Sequence, residues 1–143
     1  MKRIHAVFVV AALCAAPLTA AYAAHSFPRA VTLPPIPIDK QAVDVDAKGE
    51  SEFILREKTE THRGKVWLGY LAYQDQWGAD KRATLERIVD SLKQGGWEVM
   101  LLDAPRQPPL ATLRLTTDDN RVMWASVEIF ETARLLVMEQ DET

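Results

Sequence analysis

Few side chains in this sequence belong to the types that bind metals or act as nucleophiles. The histidines are His5, His25 and His62, and the only cysteine is Cys14. Removal of residues 1–24 would place His25 at the N-terminus, where a histidine can chelate copper through its amine and ring nitrogens. One hypothesis is therefore a small envelope enzyme or metal-binding protein that uses His25 or His62. Two histidines without a recognisable carboxylate arrangement make a weak metal site, and we predict no metal and no cofactor.

The acidic segment 44–52 resembles the beginning of a calcium-binding loop. Acidic residues stand at its first, third and ninth positions and a glycine at its sixth. However, Lys48 occupies the fifth position, and Leu55 stands at the twelfth, where a bidentate glutamate is required. A lysine ammonium inside the loop would repel the cation. The pattern favours a solvated linker over a calcium site.

No arrangement of residues in the sequence indicates a catalytic nucleophile or a phosphate site. Ser91 and Ser126 do not stand in the strand-turn-helix elbow that exposes a nucleophilic serine. The glycine pair at 95–96 follows a predicted helix, whereas a phosphate loop precedes one. We assign no catalytic residue, and we favour a non-catalytic protein over an enzyme.

The first 23 residues have the pattern of a secretory signal peptide. Lys2 and Arg3 precede the apolar run 6–16, and the small residues of Ala21-Tyr22-Ala23 suit a signal peptidase. The apolar run is too short for a permanent membrane span, which needs about 20 residues. We therefore predict cleavage near Ala23, a mature chain that begins at Ala24, and a periplasmic location.

The composition of the predicted mature chain excludes some partners. Removing residues 1–23 leaves 15 basic against 20 acidic side chains, a net charge of −5. Without a basic cluster, nucleic acid is a poor partner, because phosphate neutralisation dominates that binding. Cys14 lies within the predicted signal peptide, so the mature chain has no thiol and no disulfide. Packing of the core must stabilise the domain.

The mature chain divides into an arm and a domain. Residues 24–50 combine a proline-rich part with a polar, acidic part, which is typical of an extended tether. Residues 51–143 have the apolar periodicity of a single folded domain. We expect the boundary between residues 50 and 51.

The domain is predicted to be α+β, in the order β-β-α-β-β-β-β. Its one long helix begins after Asp80 or near Thr84 and ends at Gly95-Gly96, with an apolar stripe at i, i+3, i+4 and i+7. The stripe consists of Leu85, Ile88, Val89 and Leu92. We expect this helix to pack on one face of an antiparallel sheet of five to six strands. The predicted strands are 53–55, 65–73, 97–103, 111–116, 122–130 and 135–138, with turns at 62–64, 118–120 and 131–133 and loops at 74–79 and 104–110.

Several of these segments resemble those of a known family. They are Gly64-Lys65-Val66 and Tyr73, Thr84-Leu85-Glu86, Gly96-Trp97-Glu98-Val99, and the closing strands 122–129 and 135–138. On roughly residues 64–139 the chain resembles exported bacterial domains of unknown function that often precede an outer-membrane-protein-A-like, peptidoglycan-binding domain. The resemblance implies the fold and the periplasmic compartment. We expect no peptidoglycan-binding domain and no cell-wall anchoring here, and the family offers no catalytic residues.

The predicted strands carry apolar residues on both faces, although one helix covers only one. An antiparallel sheet with a solvated face alternates apolar and polar residues. We group the aromatic residues Trp67, Tyr73, Trp124 and Phe130 on the second face. This face is predicted to bind an envelope protein or a second copy of the chain. The alternatives are that the arm folds over it or that the sheet curls and buries it. Arg106, at the tip of the proline-rich loop, is a lesser contact candidate.

Overall fold

The computed structural model of the chain describes residues 26–35, 41–73 and 80–142. The predicted signal peptide, its cleavage site, His25 and the predicted loop 74–79 lie outside these residues. Within these ranges, one helix and six strands follow one another in the order β1 (Gln41–Ile54), β2 (Thr59–Leu71), α1 (Lys81–Gln94), β3 (Glu98–Asp103), β4 (Leu110–Thr116), β5 (Val122–Ile129) and β6 (Ala133–Gln140). No helix in the described ranges is long and apolar enough to cross a membrane.

The six strands form one sheet in the order β1-β2-β6-β5-β4-β3, and every neighbouring pair is antiparallel. The prediction of an antiparallel sheet with a single helix is thereby confirmed. The predicted turn at residues 118–120 is also present: Asn120 has a φ of 65°, and its N–H donates to the Thr117 carbonyl at 2.9 Å. Asparagine tolerates this left-handed conformation better than most residues.

The first hairpin differs from the prediction. Its turn lies at residues 55–58, where the Leu55 N–H donates to the Lys58 carbonyl at 2.8 Å. The predicted turn at 62–64 is wrong, because those residues lie within β2. Strand β1 begins at Gln41, so the boundary expected between residues 50 and 51 falls inside a strand. The segment 44–52, expected to be a solvated linker, is part of the edge strand β1. In the first half of β1, only Val43 and Val45 turn apolar side chains toward the core.

Helix α1 forms as the sequence predicts. The Asp80 carboxylate caps it by accepting a hydrogen bond from the Ala83 N–H at 3.1 Å. At the other end, Gly95 donates to the Leu92 carbonyl, and Gly96 has a φ of +98°, which favours glycine. The predicted apolar stripe is buried together with Thr84, and it comprises Leu85, Ile88, Val89 and Leu92.

One face of the sheet, here called the helix side, packs against α1 and the N-terminal arm, residues 26–35. Helix α1 contacts β3, β4 and β5. The arm lies beside it: Phe27 approaches Gly69 of β2, while Val31 and Leu33 pack against the same core. The single helix therefore does not cover its side of the sheet alone. The alternative in which the arm covers the second face is wrong, because the described arm packs on the helix side.

The opposite face, here called the far face, has a smaller core of its own. It consists of Phe53, Val66, Trp124, Leu136 and Met138. Phe53 belongs to β1 and Trp124 to β5, two strands that β2 and β6 separate in the sheet. Their rings nevertheless stack with centroids 5.4 Å apart, because the end of the first hairpin bends over the far face. This second core explains why the strands carry apolar residues on both faces.

Candidate functional site

The structure divides the four aromatic residues predicted to share one face. Trp67 and Tyr73 belong to the helix-side core, whereas Trp124 belongs to the far-face core. The register explains the division. Trp67 pairs with Val137, and Val137 pairs with Ala125, so Trp67 shares a face with Ala125. Trp124, which precedes Ala125 in the chain, points the opposite way, because successive side chains of a strand alternate. The predicted grouping is wrong.

Trp124 is a core residue in this structure. Only 3% of it is exposed, since the rings of Phe53 and His62 cover the indole. The indole N–H donates to Gln140 Oε1 at 2.8 Å, and the Arg114 guanidinium lies 5.8 Å from the ring centroid. With its polar atom paired and its faces covered, Trp124 has little surface left for a partner.

His62, the histidine of the alternative hypothesis, is a half-buried part of the same cluster. Its Nε2–H donates to Glu60 Oε1 at 2.9 Å, and Lys58 Nζ lies 2.9 Å from Glu60 Oε2. The hydrogen bonds from Lys58 and then from His62 lower the pKa of the Glu60 carboxyl below its ordinary value. Across residues 26–35, 41–73 and 80–142, no group of three His, Cys, Asp or Glu side chains is placed to hold a metal ion.

Phe130 and Arg106, the remaining predicted contact residues, lie at one end of the far face. Phe130 is 42% exposed and stands at the turn between β5 and β6. The Arg106 guanidinium reaches Glu128 of β5, with 3.9 Å between Nη1 and Oε2. Arg134 of β6 binds the same carboxylate, with 3.2 Å between Nη1 and Oε1. Tyr70, 48% exposed, is the cross-strand neighbour of Arg134.

These five residues, Tyr70, Arg106, Glu128, Phe130 and Arg134, are called the far-face patch below. Within this set of five residues, two guanidinium groups share one carboxylate. Arg106 Nη1 is buried and has no hydrogen-bond partner within the described ranges. The patch combines two exposed aromatic rings with two partly buried guanidinium groups. Tyrosine, phenylalanine and arginine are enriched in protein interfaces, and tyrosine and arginine among their hot spots.

Sequence reasoning did not select Tyr70 as a contact residue. Tyr70 shares one face of β2 with Val66 and Leu68, and the apolar pattern of these three residues is typical of a core. The feature that indicates its exposure is its position near the end of β2, where the far-face core no longer covers the strand. Leu68 is half-buried, and the residue opposite Tyr70 on β1 is the small, exposed Ala42. A ring in this position stays open to solvent.

The edges of the sheet are less suited to binding than the patch. In β1 the pairing shifts between Asp46 and Gly49, and the Lys48 N–H donates to Asp46 Oδ1 at 3.0 Å. In β3, at the other edge, the pairing shifts between Val99 and Leu101. Bulges and charged side chains on edge strands hinder the addition of a foreign strand.

Comparisons of the chain with family models, curated proteins and solved structures found no match. The functional argument therefore depends on the geometry of the described residues and on the pattern of the sequence.

Proposed function

We propose that this chain is a non-catalytic interaction module of the bacterial cell envelope that binds a partner protein through the far-face patch. The observation that carries the proposal is the exposure of Tyr70 and Phe130 at the end of the face where Arg106 and Arg134 share Glu128. Most large apolar side chains on the two faces are buried in one of the two cores. Exposed aromatic rings beside arginines are a common composition of interaction sites.

The charges of the patch indicate the chemistry of the partner. The predicted mature chain carries a net charge of −5, whereas the patch has one guanidinium more than it has carboxylates. Arginine binds carboxylates through paired, planar N–H donors. A partner surface with a carboxylate next to an aromatic or aliphatic side chain would complement the patch.

The partner can be sought by capture from envelope extracts with the full chain as bait. We expect Tyr70→Ala and Arg134→Gln each to weaken capture by about tenfold, the usual effect of removing an interface hot spot. Leu102→Ala is the matched control, because Leu102 is exposed to a similar degree, 44%, but lies on edge strand β3. Equal capture by the patch variants and the wild type would contradict the proposal.

Self-association through the same patch is tested by sedimentation of the purified chain. A dimer that dissociates in Tyr70→Ala but not in Leu102→Ala would identify a second copy as the occupant. If the chain is monomeric at all concentrations, an envelope protein remains the proposed occupant of the patch, and the capture experiment tests that occupant.

The compartment is part of the proposal and has its own measurement. The signal pattern of residues 1–23 and the resemblance to exported bacterial domains both support export to the periplasm. Intact-mass analysis of protein released from the periplasm should show a chain that starts at Ala24. A chain that retains Met1 and stays in the cytoplasm would contradict the envelope assignment.

A further inference from the structure

The N-terminal arm is held through its backbone as well as through its apolar side chains. Three side chains of the domain donate hydrogen bonds to carbonyl oxygens of the arm. The bonds are Trp97 Nε1–H to Ala30 O at 2.9 Å, Ser91 Oγ–H to Thr32 O at 2.8 Å and Tyr73 O–H to Pro34 O at 2.6 Å. The three donors come from different parts of the domain, namely the residue before β3, helix α1 and the segment after β2.

The accepting carbonyls are evenly spaced along the arm. They belong to every second residue. Ala30 lies in a turn in which the Val31 N–H donates to the Pro28 carbonyl at 3.0 Å, and residues 31–35 follow without regular secondary structure. The arm segment carries three prolines, Pro28, Pro34 and Pro35. Proline-rich segments lack many backbone donors, so their receptors bind the carbonyls with donors placed among aromatic side chains. Tyr73 and Trp97 offer this combination.

The arm also fits its groove by shape. A Cβ atom at Gly69 would lie 2.6 Å from Phe27 Cζ, so the absence of a side chain at Gly69 makes room for the Phe27 ring. A Cβ atom at Gly95 would lie 3.1 Å from Thr32 Oγ1. Phe27 and Leu33 are only half-buried, in contrast to the fully buried stripe of α1. The arm therefore resembles a bound ligand more than a layer of the core.

The phenol of Tyr73 is well suited to its role as a donor. The residue is buried, and this burial raises the pKa of the Tyr73 hydroxyl above its ordinary value. A tyrosine hydroxyl is protonated at physiological pH even at its ordinary pKa of 10.0, and the raised pKa keeps Tyr73 a donor further into the alkaline range. A buried donor of this kind needs an acceptor, and in this groove the acceptor is the Pro34 carbonyl.

We propose that the groove formed by Tyr73, Ser91, Trp97, Gly69 and Gly95, here called the arm groove, is a receptor site for a proline-containing peptide. The arm is its built-in occupant, and a segment of similar chemistry from a partner protein binds by displacing it. Because the arm is tethered to the domain, it competes at a high effective concentration and sets a threshold for the partner. The arm groove lies on the helix side, so this site is separate from the far-face patch.

The first test measures binding of a fluorescent peptide with the sequence of residues 26–35 to the full chain. In Phe27→Ala the tethered competitor has lost its largest side chain, while the arm groove is unchanged. We expect this variant to bind the peptide about tenfold more tightly than the wild type does, since a weaker intramolecular competitor is easier to displace. A peptide carrying the Phe27→Ala change is the matched control for specificity.

The second test uses the unmodified chain and therefore does not depend on the folding of a variant. The ¹⁵N-labelled wild type is titrated with unlabelled peptide and followed by NMR. We expect the amide signal of Val31 to move to the position it has in the free peptide. The indole N–H signal of Trp97 should keep its hydrogen-bonded position, because one carbonyl replaces another.

A folded Phe27→Ala chain that does not bind the peptide, or a wild-type arm whose signals do not move under a large excess of peptide, would overturn the proposal. Either result can arise while the far-face patch still captures its partner. The outcome for the arm groove is thus distinguishable from the outcome for the proposed function.

Discussion

The imidazole ring of His62 lies against the indole ring of Trp124, with 4.5 Å between the ring centroids and 19° between the ring planes. His62 belongs to β2 and Trp124 to β5, and β6 lies between these strands in the sheet. The contact exists because β2 extends past the end of β6 and the first hairpin bends over the far face. The small far-face core depends on this bend.

The first prediction follows from the burial of Trp124. We expect Trp124→Ala to reduce the free energy of unfolding by about 3 to 5 kcal/mol, because it leaves a cavity between Phe53, His62 and β6. Chemical denaturation measures the change. Tyr70→Ala, on the same face but 48% exposed, is the control and should alter stability by about 0.5 kcal/mol or less. Similar losses in both variants would show that Trp124 is not a core residue.

The second prediction concerns acid. The hydrogen bonds from Lys58 and His62 lower the pKa of Glu60 in the folded state, so the folded chain favours the ionised carboxylate. Its stabilising contribution is present above the ordinary pKa of 4.5 and is lost as the pH falls through the lowered value. We expect Glu60→Gln to make the loss of stability between about pH 5 and about pH 2 less steep. The free energy of unfolding is measured by chemical denaturation at several pH values. If the contacts of Glu60 were absent, it would depend on pH in the same way in Glu60→Gln and in the wild type.

The third prediction concerns alkali. The pKa of Tyr73 is raised by burial, so above its ordinary value of 10.0 the unfolded chain loses the phenolic proton before the folded chain does. The folded state binds more protons in this range, and stability therefore falls as the pH rises from about 10. Tyr73→Phe should lack this part of the decline, although it starts from a lower stability because the bond to Pro34 is missing. The decline in stability of the wild type and of Tyr73→Phe can be compared by thermal unfolding between about pH 9 and about pH 11.

The fourth prediction concerns Gly64, which stands where β2 pairs with the end of β6. A Cβ atom on this residue would lie 1.9 Å from the Glu139 carbonyl oxygen, a backbone atom that cannot move aside. We expect Gly64→Ala to destabilise the fold by about 3 kcal/mol or more. Gly95→Ala is the milder control, since its nearest atom is Thr32 Oγ1 at 3.1 Å. A Gly64→Ala chain as stable as the wild type would show that β2 does not pair with β6 in this register.

The fifth prediction tests the packing of α1 on the sheet. Leu85 and Leu92 are fully buried, so truncating either to alanine should cost about 2 to 5 kcal/mol. Glu86→Ala, on the exposed side of the same helix, is the matched control and should change stability little. Variants at both leucines that melt like the wild type would contradict the packing of this helix on the sheet.

Some elements of this protein are determined by local sequence alone. Helix α1 is specified by its N-cap Asp80, by an apolar stripe of period 3.6 and by the glycine pair that ends it. The turn at 118–120 is specified by residues that tolerate its backbone conformation, and the strands around it by their period of two. In each case neighbouring residues supply both the signal and the interactions, so no distant part of the chain is needed.

Other features were decided only by the tertiary structure. A period of two shows which residues of one strand share a face, but it does not relate the faces of two strands. Trp67 and Trp124 therefore seemed equivalent in sequence, and only the pairing of Trp67 with Val137, and of Val137 with Ala125, sets them on opposite faces. The site of the arm depends in the same way on distant donors: Tyr73, Ser91 and Trp97 are far apart in the chain until the sheet and the helix bring them together. The relation between strands resides in their backbone hydrogen bonds, which every residue type except proline can form, and side-chain types along a single strand therefore do not specify it.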